Sequence, residues 1–70
     1  MNSETTVKLL KPLEDTANSK TDGHFTIMKF TTKWKCCLGT VDHREKIVNM
    51  SSGITVDEAI LNCINENNIL

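Results

Sequence analysis

The sequence predicts an α+β domain: a small antiparallel sheet of three strands, four if residues 7–10 join as an edge, with one C-terminal helix packed on one face. Three observations predict it. Residues 24–41 are rich in Phe, Ile, Thr, Trp and Val, the side chains that fit a pleated surface. Residues 55–64 open with a helix cap and continue with apolar positions at helical spacing. The chain has 70 residues, which suits one domain with a thin core, because at that size folding buries only about 60% of the surface the unfolded chain exposes.

Taken in order, residues 1–22 are polar, rich in Thr, Ser, Asn and Lys, and read as a flexible leader. Within it Val7-Lys8-Leu9-Leu10 has the character of an edge strand, which Pro12 ends because it has no N–H to donate. Residues 23–70 form the single domain, entered through the turn signal Asp22-Gly23. The β-rich run is longer than the usual strand of about 5–6 residues and predicts a hairpin turning near Thr31-Thr32-Lys33. No Gly, Asn or Asp is present there to supply the positive φ of the tight mirror-image turns.

Two loops are open to this hairpin, and they sort the side chains differently. A three-residue loop pairs Phe30 with Trp34 and places Met28, Phe30, Trp34, Cys36 and Leu38 on one face, with Phe25, Ile27, Lys29, Lys35 and Cys37 on the other. A two-residue loop groups Phe25, Ile27, Trp34, Cys36 and Leu38, and leaves Met28, Phe30, Lys33 and Lys35 on the second face. The first is preferred, because Trp opposite Phe is a favourable cross-strand pair.

Gly39 and Asp42-His43-Arg44-Glu45 read as the next turn, Lys46 to Met50 as a short third strand, and Ser51-Ser52-Gly53 as a break. Thr55-Val56-Asp57-Glu58 then matches a capping box, and its acids complement the helix dipole. Val56, Ala59, Ile60, Cys63 and Ile64 recur on one helical stripe, which predicts the face packed on the sheet. Asn67-Asn68 suits a helix end through the left-handed conformation that Asn tolerates. Leu61 lies off the stripe.

With 39% hydrophobic and 24% charged residues, the composition is that of an ordinary globular chain. The odd set of Cys36, Cys37 and Cys63, with no apolar N-terminal segment of secretory type, points to a reducing cytoplasm. No run approaches the roughly 20 apolar residues of a membrane span, so no membrane partner is expected. The net charge of −1 conceals a basic stretch, Lys29, Lys33 and Lys35, and a later acidic one, Asp57, Glu58 and Glu66. In a compact fold the two would partly neutralise each other, which argues against a general polyanion binder.

No catalytic constellation emerges. Adjacent Cys36 and Cys37 point to opposite faces of a strand, and with His24, His43 and Cys63 scattered, no ligand spacing for a metal appears. They read as small packing residues, and the histidines as solvated turn residues. Neither a nucleophile elbow nor a phosphate-loop frame is present, Ser51-Ser52-Gly53 included. No cofactor is expected. The basic and aromatic residues of 29–35 raise nucleic-acid binding, which requires both types on one exposed face.

The segment Gly53-Ile54-Thr55-Val56-Asp57-Glu58-Ala59-Ile60 resembles the G-x-T-x-x-E-A-aliphatic helix entry of HicB-like antitoxins and related partial double-stranded-RNA-binding folds. The resemblance covers the final third of the chain, and the Pro-Asp and Pro-Gly elements of that family are absent upstream. It implies a topology, hairpin then helix, and no function.

One helix cannot cover both faces of a sheet. The expectation is therefore a small regulatory or inhibitory adaptor, of the kind bacteria and phages carry, that binds a protein partner or a second copy of itself. The expected interaction surface is Phe25, Ile27, Lys29, Lys33 and Lys35, and the alternative is a nucleic-acid-binding module using the hairpin 29–35.

Overall fold

The computed structural model describes residues 3–67 and 69. The elements are α1 (Ser3–Lys20), β1 (Phe25–Lys29), β2 (Trp34–Leu38), α2 (Arg44–Val48), β3 (Ser51–Gly53) and α3 (Val56–Glu66). The three strands form one antiparallel sheet in the order β1-β2-β3, and α3 packs on it, so the α+β class stands.

The N-terminal segment differs from the expected leader and edge strand. It is an 18-residue helix that runs through Pro12. Leu9, Leu10, Leu13 and Ala17 lie at helical spacing, and Leu13 and Ala17 are fully buried. That stripe is narrow and the helix is polar elsewhere, which is why composition alone hides it. Pro12 lacks the N–H that would reach the Lys8 carbonyl, and an interior Pro costs about 3 kcal/mol. Lys8 is exposed, so water can take up the unpaired carbonyl. The helix is closed by Gly23, at φ +85°, which donates its N–H to the Ala17 carbonyl at 2.9 Å, with Asp22 also in the left-handed region.

The hairpin takes the two-residue loop, not the preferred three-residue one. Phe25 opposes Leu38, Ile27 opposes Cys36, Met28 opposes Lys35 and Lys29 opposes Trp34, while Phe30 donates its N–H to the Lys33 carbonyl at 2.7 Å. Neither threonine of the loop has a positive φ, so the mirror-image turns are not used. Burial decides the register: it puts Phe25, Ile27, Trp34, Cys36 and Leu38 together beneath the helices, whereas the Phe30–Trp34 pairing would have turned Phe25 and Ile27 outward.

Residues 44–48 form a single helical turn where a third strand was expected. Ile47 and Val48 are neighbours and do not alternate, and Lys46 pairs with Asp42 at 2.7 Å across one turn. The third strand is instead the Ser51-Ser52-Gly53 break, and the reason is steric. A Cβ at Gly53 would lie 2.5 Å from the backbone nitrogen of Ala59 and 2.5 Å from the Glu58 Cβ, so only glycine lets α3 approach β3 this closely.

In α3 the Thr55 hydroxyl accepts the Glu58 N–H at 3.2 Å, and Val56, Ala59, Ile60, Cys63 and Ile64 are the buried residues, as the spacing predicts. Asn67 ends the helix at φ −99° rather than in the left-handed region, with its side-chain amide donating to the Cys63 carbonyl at 2.8 Å. Asn68, the other residue of that expected stop, lies outside the described residues. Thr6 donates to Asp57 at 2.5 Å, so α1 and α3 start at the same end of the helical layer. One core joins Leu13 of α1, Cys36 of β2 and the stripe of α3, with Phe25, Ile27, Trp34 and Leu38 packed against it. Both helices therefore lie on the same side of the sheet.

Candidate functional site

Alternation along the strands assigns each side chain to a face. The side turned away from the helices carries Thr26, Met28, Lys35, Cys37 and Ser52, and continuing the alternation into the loop adds Phe30 and Lys33. Lys35 stands at its centre, opposite Met28 on β1 and Ser52 on β3. Neither α1 nor α3 packs over this face, on which Met28, Phe30 and Lys35 are each half-buried.

The expected interaction surface is thus split by the register. Lys33 and Lys35 lie on the open face. Phe25 and Ile27 belong to the helix-covered side, packed against the core, and this corrects their assignment to the interaction surface. Lys29 is on the covered side too, where its ammonium sits 5.9 Å from the centre of the Trp34 ring, a cation–π contact. Trp34 is half-buried. Met28 and Phe30 take the place of Phe25 and Ile27 on the open face, and the two-residue register was the signal that identifies them.

One end of the open face is bordered by the β2–α2 loop. Thr26 donates to the Gly39 carbonyl at 2.8 Å, and a depression of about 350 Å³ is lined by Cys37, Leu38, Gly39, Thr40, Val41, Lys46 and Asn49. Burial, followed by the nearby Cys63, raises the Cys37 thiol above its ordinary range, against the opposing pull of Lys46 and the Thr26 hydroxyl. Beneath the sheet the Cys36 thiol is also raised, by its hydrogen bond with Cys63 first and by burial second, so Cys36 keeps its proton at neutral pH. Cys36 and Cys63 are fully buried members of the core.

The electrostatics are layered. Lys33 and Lys35 make no ion pair with any described residue; the pairs present are Lys11–Asp15, Lys46–Asp42 and the long His43–Asp42 contact. α3 carries Asp57, Glu58 and Glu66 and no Lys or Arg. Because α3 lies on the opposite side of the sheet from Lys33 and Lys35, the two charge groups are separated by the core, and they do not neutralise each other by contact.

A second depression, of about 390 Å³, lies between β3 and α3 and is lined by Met50, Ser51, Ser52, Asn62, Asn65 and Glu66. Its polar groups are spent on structure: Asn62 donates to the Ser52 carbonyl at 2.7 Å, and the Ser51 hydroxyl donates to the Glu66 carboxylate. Among the described residues no group of three or more His, Cys, Asp or Glu side chains converges for a metal ion. Nor is any helix among them long and apolar enough to cross a membrane. No protein-family model, curated protein or solved structure matches the chain.

Proposed function

We propose that this chain is a small non-enzymatic adaptor, regulatory or inhibitory in role, that works by protein–protein contact through the open face of its sheet. One observation carries the reading: α1 and α3 lie on one side, and the other side presents Met28 of β1 and Phe30 just beyond it, opposite Lys35 and Lys33, with α2 only at its border. Apolar Met28 and Phe30 next to cationic Lys35 and Lys33 form a mixed patch suited to a partner with matching apolar and acidic groups. The sheet's strands of five, five and three residues present a compact patch, of the size used by small or transient contacts. Three free thiols suit action in the reducing cytoplasm.

The test compares wild type with Met28→Glu in affinity capture from host lysate, using melting temperature to check the fold. The reading expects the variant to melt normally and to lose the specific partner. A partner retained at full strength by Met28→Glu rules the open face out.

A second reading, single-stranded nucleic acid, is favoured by the register, which sets Phe30 on the same face as Lys33 and Lys35. It predicts oligonucleotide binding that weakens with salt and is lost in Phe30→Ala.

A further inference from the structure

We infer that the occupant of the open face is the α3 surface of a second copy, docked head to tail. This rests on the reading of the open face as a protein interface and names its partner. Lys33 and Lys35 have no counter-ion among the described residues, and the strand positions of their face hold no carboxylate. The occupant must therefore be acidic where it meets them.

Two copies paired open face to open face fail that requirement. Such an isologous contact sets the lysines of both copies into one interface with no acid from the strands to match them, and like charges brought together there oppose association. The exposed side of α3 meets it. That helix carries no basic residue; Glu58 is exposed on it beside Leu61, an apolar side chain 42% exposed because it lies off the core stripe, while Asp57 and Glu66 flank this patch and already accept from Thr6 and Ser51. Glu58 beside Leu61 mirrors Lys35 beside Met28: an acid next to an apolar group, facing a base next to an apolar group. The two surfaces lie on opposite sides of the sheet, so joining them between copies does not close a pair. Each added copy leaves one open sheet face and one free α3, which makes the assembly a growing stack.

Sedimentation velocity of the full chain across concentration, at about 0.1 M and about 1 M salt, tests the proposal, since the Debye length falls between those conditions from about 10 to about 3 Å. Wild type is expected to grow in mass with concentration at low salt and to dissociate at high salt. A variant carrying Lys33→Glu and Lys35→Glu, and a second carrying Glu58→Lys and Leu61→Lys, should each associate at least about tenfold more weakly than wild type, a loss of roughly 1.4 kcal/mol. Mixed one to one, the two should associate again, because each supplies the surface whose charge the other has reversed. Circular dichroism checks the folds. If a reversal variant unfolds, Lys33→Gln with Lys35→Gln and Glu58→Gln with Leu61→Gln replace the pair and are held to the same mixing result.

A wild-type monomer throughout overturns the proposal, as does a discrete dimer that the α3 variant leaves intact. If the monomer still captures a foreign protein in a manner lost with Met28→Glu, the adaptor reading survives and only the identity of the occupant is wrong. Salt-sensitive oligonucleotide binding by a monomer, lost on reversal of the lysines, overturns both in favour of nucleic acid.

Discussion

Replacing Leu13 with Ala tests whether the polar N-terminal third is structural. Leu13 is fully buried at the point where α1 meets the core, so the change removes contacts and leaves a space that α1 fills only by shifting. Leu→Ala changes at such sites cost about 2–5 kcal/mol. A 70-residue domain at about 0.05–0.15 kcal/mol per residue holds only about 4–10 kcal/mol in total, so the substitution removes a large share of it. For a domain of this size each kcal/mol moves the melting temperature by about 4–8 °C, and a loss of 2–3 kcal/mol lowers it by roughly 10–20 °C. Thermal unfolding followed at 222 nm, with calorimetry as a check, reads this directly. Val7→Ala is the control, since Val7 is exposed on the same helix. Equal melting temperatures for Leu13→Ala and wild type would mean that α1 does not pack on the domain, and the single core described above would lose one of its walls.

Thr55→Ala should lower stability by about 0.5–2 kcal/mol in denaturant titration, because the Glu58 N–H loses its acceptor; an unchanged midpoint would show that solvent replaces the cap at no cost. Gly53→Ala should be worse than an exposed Gly→Ala change, since its Cβ meets α3 backbone at 2.5 Å and neither partner is a flexible side-chain end; a neutral result would mean that β3 and α3 sit farther apart. Alkylation of the native protein should label Cys37 alone and mass spectrometry should show one adduct, with Cys36 and Cys63 reacting only after denaturation; two or more native adducts would contradict their burial. The thiols also set a pH dependence. Burial raises Cys37 from an ordinary 9.0, so the folded state holds its proton more tightly than the unfolded state does; its contribution is full below about pH 9 and is lost as pH rises above it. In the hydrogen-bonded pair beneath the sheet Cys36 is raised and Cys63 lowered, so their contributions oppose each other, and Cys37→Ser should flatten the fall in melting temperature above about pH 9; an unchanged pH profile would refute the assignment to Cys37.

The parts of the fold that were legible in the sequence are those in which one local signal agreed with burial. The Thr55 cap and the stripe from Val56 to Ile64 are both, and both are found as read. Where two signals competed, local chemistry misled. At the hairpin, a favourable Trp34–Phe30 pair was weighed against a grouping of five apolar side chains, and the larger burial prevails. At α1, Pro12 and a polar composition outweighed a narrow stripe of Leu9, Leu10, Leu13 and Ala17, whose purpose shows only when α3 and the sheet are present to receive it. Ser51 to Gly53 has no strand propensity at all; its pairing depends on a neighbour that no window of sequence contains. The candidate surface inherits these errors. Lys33 and Lys35 lie on the open face as either a site or a solvated edge requires, while Phe25, Ile27 and Lys29 were taken from the face that the other register would have exposed.

The closeness of Gly53 to α3 bears on how the chain folds. β3 is three residues of Ser and Gly, too short and too small to hold itself against β2 by side-chain contact. What fixes it is the first turn of α3, against which its last residue is pressed. Strand and helix are therefore one cooperative unit, whereas the β1–β2 hairpin pairs through side chains of its own and can form earlier. In hydrogen exchange the β3 amides then open together with the start of α3, not with the rest of the sheet to which they are bonded. A sheet of three strands would thus be held, thermodynamically, as two strands plus a strand that belongs to a helix.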